Sequence, residues 1–210
     1  MSETRVRLLD AAERLFAEKG LHATSAREIV AAAGQRNESA IQYHFGGRAG
    51  LLDAIHARRL TQVEQARLER LDALLDADAE PAVRTVLDCV IAPVVQQCAV
   101  DLGFRGYLAA FGELALSAGI AIGNNPHDLG SLHRVRSVLK PRLQVDEELL
   151  RIRTEALTRF VLTNLSQWAR SERLFQGGEF DLFLANLIDM AAAVLEAEVS
   201  DETRGALQRK

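Results

Sequence analysis

Apolar residues at Leu8, Ala11, Ala12, Leu15 and Phe16 recur at the spacing of one helix face, predicting an amphipathic helix from Thr4 to Lys19. Lys19 and then Gly20 suit its end: a cation near the last carbonyls, then a residue free to turn left-handed. Ser25 and Glu28 stand three apart, the pattern of a capping box, at the head of a short helix that turns Ile29, Val30 and Ala33 inward and stops at Gly34. A polar turn, Gln35-Arg36-Asn37, leads to a third helix over 38–45, capped by Asn37 or Ser39 and stopped by Gly46-Gly47. Three short helices, the last two joined by a tight Gly-containing turn, describe a helix-turn-helix unit.

The periodicity continues beyond it. A long fourth helix from Arg48 towards Leu75 carries Leu51, Leu52, Ile55, Arg59, Gln62 and Val63. Asp76 to Glu80 reads as a connection, and Pro81 suits the first turn of a fifth helix reaching about Ala99, with Pro93 expected to kink or break it. A sixth helix spans about Phe104 to Ser117, a loop covers Gly119 to Pro126, and a seventh helix from about Asp128 is expected to end at Leu139, before Pro141. The eighth, about Glu147 to Arg170, and the ninth, about Phe180 to Glu198, are separated by Gly177-Gly178 and should pair antiparallel. The polar tail from Ser200 should fray. The pattern predicts an all-α protein of about nine helices, with a three-helix N-terminal domain over 1–48 and a helical domain over 49–210.

Composition agrees with this picture. Of 210 residues 48% are hydrophobic and 26% charged, with only 4 Pro, which favours a soluble helical core. Cys89 and Cys98 are too few for a disulfide framework and read as buried thiols in a reducing compartment. The N-terminus has no apolar signal region, and no apolar run is read as long enough for a bilayer, so a cytoplasmic protein without a membrane partner is expected. Charge refines this: residues 1–60 hold nine bases against seven acids, so a chain of net charge −4 has its less acidic part at the N-terminus. No nucleophile elbow, phosphate loop or metal-ligand spacing stands out; His22 and His56 read as surface residues, and His127 and His133 lie on or beside a loop. Neither catalysis nor a cofactor is expected.

Within 4–60, the order and spacing of Leu8-Leu9-Asp10-Ala11-Ala12, Leu15-Phe16-Ala17-Glu18-Lys19-Gly20, Thr24-Ser25, Glu28-Ile29, Ala32-Ala33-Gly34, Tyr43-His44-Phe45, Arg48 and Leu51-Leu52 resemble the DNA-binding domain of TetR-family regulators. The resemblance covers about a quarter of the chain. It implies a homodimeric transcription regulator on a palindromic operator, paired through the last two helices, with a small-molecule effector among the central helices.

On physical grounds a short exposed helix fits the major groove, and its outer face offers Asn37, Ser39 and Gln42, with Gln35 and Arg36 before it. The resemblance assigns Tyr43 and His44 to phosphate contact and puts Arg48 where a Lys usually grips a phosphate. Thr24, Ser25 and Arg27 at the second helix are placed near another phosphate, on free amides and a positive dipole end. Two features depart from the family pattern: the turn at Gln35-Asn37 is one residue longer, and Gln42 stands where an aromatic is common. For the effector, Phe104, Tyr107, Leu108 and Phe111 on the sixth helix would face Phe160, Asn164 and Trp168, as pocket wall or as plain core. The resemblance thus implies a repressor released from its operator by the effector; the alternative is a helical ligand-binding or protein-interaction module that has lost specific DNA binding.

Overall fold

The computed structural model describes residues 2–37, 39–117, 130–171 and 173–209, with 113–117 described by their backbone. Among the described residues there are ten helices and no strand. The expected loop from Gly119, the first residues of the seventh helix and His127 lie outside the described residues.

Helix α1 (Glu3–Lys19) is capped by Ser2 and buries Leu8, Leu9, Ala12 and Phe16, the predicted stripe. Across it lie α2 (Ala26–Ala32) and α3 (Ala40–Phe45). Helix α4 (Arg48–Ala77) then runs for 30 residues, from the N-terminal helices into the rest of the molecule. One ridge of α4 is buried at every fourth position: Leu51, Ile55, Arg59, Val63, Arg67 and Leu71. Helices α5 (Val83–Val100), α6 (Leu102–Ser117), α7 (Gly130–Leu143), α8 (Glu147–Arg170) and α9 (Gly178–Glu196) complete the body, and α10 (Asp201–Gln208) follows. Helix α6 packs on α8 and on α1, while α8 and α9 pair as expected.

Four expectations are corrected. Helix α5 runs through Pro93 without a break, because the helices packed around it hold it where one hydrogen bond is lost. Pro141 likewise lies inside α7, in its last turn; the chain turns at Gln144, whose φ of 45° is left-handed. The tail forms α10, because Ser200 accepts the amide of Thr203 and two acids follow in the first turn. By length and composition α5 is apolar enough to cross a membrane, although 50% of that window is buried inside the chain. It packs against α4, α6, α7 and α9, as the core helix of a bundle does.

The N-terminal helices and the body meet closely at α1 and α6. A Cβ on Gly106 would lie 2.4 Å from that of Ala17, so only glycine permits this approach. Beside it, Arg59 of α4 is bound to Glu13 of α1 through Nε–Oε1 at 3.1 Å and a second contact from Nη2 to Oε2, and to Asp101 before α6 at 2.7 Å. Burial alone would raise the Asp101 carboxyl, but the Phe104 amide and the Arg59 guanidinium outweigh it and hold it below the usual range. One buried cation thereby joins three helices.

Candidate functional site

Helix α3 turns Ala40 and Ile41 inward, which leaves Ser39, Gln42 and Tyr43 outward at helical spacing. Tyr43 is 83% exposed, and the partly buried His44 ring packs on it edge-on at 4.9 Å. Phe45 packs against the core, with the Arg5 guanidinium 4.8 Å over its ring. The turn before α3 starts from a left-handed Gly34 (φ 69°), with the Gln35 amide donating to the Val30 carbonyl and the Gly34 amide to that of Ala31. This Schellman arrangement ends α2 and sends Arg36 and Asn37 to the surface, with Gln35 half-buried. Asn37 is the residue that starts α3: its Oδ1 accepts the Ser39 amide at 2.9 Å and its carbonyl accepts that of Ala40 at 3.0 Å. Its side-chain oxygen is thus committed to the turn, which weakens the expectation of bidentate base reading by Asn37.

Three predicted phosphate contacts are placed differently. Arg48 donates from Nη1 to the Thr24 carbonyl at 2.8 Å and from Nη2 to that of Leu21, with its guanidinium over the Phe16 ring. It ties α4 to the α1–α2 loop instead of reaching outward, because that loop offers carbonyls with no helical partner. The Thr24 side chain is buried, and its hydroxyl donates to the carbonyls of Leu15 and Gly20. At Ser25 the capping box is complete: the Ser25 amide donates to Glu28 Oε2 at 2.9 Å and the Glu28 amide to Ser25 Oγ at 3.2 Å. The amide of Ser25 is therefore taken by a carboxylate, which would repel a phosphate at the same spot. Arg27 is exposed on α2.

Lys19 at 2.7 Å, with the Ser25 amide and hydroxyl, holds the Glu28 carboxyl down at about 2. A depressed carboxylate stabilises the fold fully above its unfolded value near 4.5, and that stabilisation is lost as the pH falls towards 2. Glu28→Gln, which keeps an acceptor for the cap, should therefore lower the melting temperature at neutral pH. The gap from the native chain should close through that acid window. Thermal unfolding across pH checks it, and a gap independent of pH would contradict it.

A second feature lies in the body: a cavity of about 170 Å³ between α4, α5, α6 and α8, its walls predominantly apolar. Phe104, Tyr107, Leu108 and Phe111 line it, but Phe160, Asn164 and Trp168 do not. The α8 wall is Leu157, Thr158, Val161, Leu162 and Leu165. Asn164 donates back to the Phe160 carbonyl of its own helix, and Trp168 stacks on Phe183 of α9 at 4.4 Å. Of the expected face of α8, Trp168 belongs to the contact with α9, and the cavity face lies roughly 100° round the helix, one residue's rotation.

Sequence reasoning misplaced His56 and missed Arg67. His56 lies inside, its Nδ1 2.7 Å from the Tyr107 hydroxyl and its ring stacked on Phe111. Both residues sit on cavity-facing positions of α4 (His56, Leu60, Val63, Arg67), a helical spacing visible in the sequence. Arg105 of α6 donates to the carbonyls of Ser171 and Arg173 after α8.

The N-terminal helices form a helix-turn-helix whose last helix presents a polar outer face, and a helical body with an internal cavity stands behind it. Residues 8–55 match the family model described as bacterial regulatory proteins, tetR family, so the N-terminal domain is similar to the DNA-binding domain of that family. No curated protein matches the chain.

Proposed function

We propose that the protein is a ligand-responsive repressor, a homodimer that holds a palindromic operator and releases it when a small molecule fills the cavity. The exposed face of α3 carries this reading. Ser39 and Gln42 stand where base edges would be met, Arg36 lies in the turn before them, and Tyr43 and His44 lie at the flank where a backbone would pass. Arg48 supports the head by holding the α1–α2 loop. Such a protein works where the genome is, in the cytoplasm.

The cavity has a short mechanical route to the head. Its α6 wall, Phe104 and Tyr107, lies on the helix that meets α1 at Gly106, and its α4 wall includes Arg59, bound to Glu13 of α1. A ligand that displaces α6 changes the pose of α1, and with it the spacing of two α3 helices in a dimer.

Selection of operator sequences from genomic fragments, followed by gel shifts, tests the reading. Gln42→Ala and Arg36→Ala should each change the preferred bases and weaken the best site by about 1–3 kcal/mol. Tyr43→Ala should weaken all sequences alike and lessen the salt dependence little, since its contact is uncharged. If a dimer forms and binds ligand but selects no sequence, the chain is instead a helical ligand-binding module without specific DNA binding.

A further inference from the structure

The cavity holds a buried guanidinium that makes no ion pair among the described residues. Arg67 is 7% exposed and lines the apolar wall. Its Nε donates to the main-chain carbonyl of Val90 at 3.1 Å, but its Nη1, fully buried, has no hydrogen-bond partner among the described residues. Two turns earlier on the same helix, Arg59 is satisfied by Glu13, Asp101 and Gln62. Glu64, one turn back on the same helix, acts on Arg67 through its charge, but spends its carboxylate oxygens on the amide and hydroxyl of Ser131 at the start of α7. A buried guanidinium left in this state costs stability unless something binds it. Burial lowers its pKa to about 10, so it stays protonated at neutral pH.

We propose that the effector is an apolar molecule bearing one carboxylate, which pairs with Arg67 while its body fills the space between α4, α5, α6 and α8. This rests on the reading of the cavity as the effector site and names the chemistry it selects. One unpaired cation fits one negative charge; a dianionic phosphate would bring a second charge into a wall of Leu87, Ile91, Val94 and Leu157 with nothing to meet it. His56 of α4 and Tyr107 of α6 also line the cavity, and Tyr107 lies within reach of the Arg67 charge. The two are bonded to each other at 2.7 Å, so they make no demand for a second charge. A monocarboxylate matches this layout: an anionic head at Arg67 and a hydrocarbon or aryl body against the apolar walls.

The experiment titrates the full-length protein by calorimetry with hexanoate, octanoate, decanoate, dodecanoate and 4-phenylbutyrate, each against the primary alcohol of the same skeleton. On the native chain at least one acid should bind ten-fold or more tightly than its alcohol. Arg67→Met should abolish that preference and Arg67→Lys should keep part of it. Circular dichroism checks the fold of both variants. Without ligand, Arg67→Met should melt no lower than the native chain, since it removes an uncompensated buried charge, whereas a purely structural arginine would lower it. Equal affinity for acid and alcohol, the same preference in Arg67→Met, or no binding by any of the acids overturns the proposal. Gel shifts on the same samples separate the two readings. Alcohols that bind and release DNA while acids do neither would sink the carboxylate and leave the regulator intact. Acids that bind through Arg67 in a protein that selects no DNA would do the reverse.

Discussion

Replacing Arg59 by alanine is expected to lower the free energy of unfolding by about 3–5 kcal/mol, the cost of breaking a buried pair from one side. Arg59 and Glu13 are each 5% exposed, and the guanidinium makes two contacts to Glu13, one to Asp101 at 2.7 Å and one to Gln62 at 3.0 Å. Without Arg59 the Glu13 carboxylate is left in the core among Leu9, Ala12 and Phe16 with no cation. At about 2–4 °C per kcal/mol for a chain of this size, the melting temperature should fall by roughly 10 °C. Glu13→Ala should cost a similar amount. The double change Glu13→Leu with Arg59→Met should recover most of it, because apolar residues of matching size can replace a buried ion pair. Urea unfolding of the three variants decides the matter; losses that add would mean that the two side chains act separately.

The same pair shows what the sequence made legible and what it hid. Helical periodicity located the elements, because a stripe such as Leu8, Ala12, Leu15 and Phe16 depends on local geometry alone. The capping box at Ser25 and Glu28 was likewise local, and it forms. What periodicity could not give was the partner of each buried position. Arg59 lies on the every-fourth-residue ridge of α4, but its acids are 46 and 42 residues away. His56 read as a surface residue because an imidazole on a helix is equally at home in water or against a tyrosine. On α8, Leu157 and Phe160 are both apolar, so nothing in the sequence says which flank meets the cavity and which meets α9. Arg48 was assigned by resemblance to a phosphate, yet its neighbours supply carbonyls that claim it first. Pro93 was read as a kink or a break and Pro141 as a stop, by a local rule; packing carries both helices through them.

The largest expected effect on function comes from the outer faces of α8 and α9. Ile152, Leu182 and Met190 are 46%, 73% and 40% exposed, on helices whose inner faces are already buried against the body and each other. Along α8, Ile152 is followed on the same side by the exposed Ala156, and along α9, Leu182 by Asn186, Met190 and Ala193. These form two adjacent low-charge stripes of the kind that a second copy covers in a four-helix interface. Leu182→Glu with Met190→Glu should therefore turn a dimer into a monomer in analytical ultracentrifugation, since a twofold interface brings each new carboxylate in twice. Operator affinity should fall by about 10²–10⁴, because the second head no longer binds at the high effective concentration set by the first. Affinity for a cavity ligand should hardly change: the residues that line the cavity lie on α4, α5, α6, α7 and α8, and neither substituted position is among them. A variant that stays dimeric, or a monomer that holds a palindrome as tightly as the native chain, would remove α8 and α9 from the interface and send the search for it elsewhere on the body.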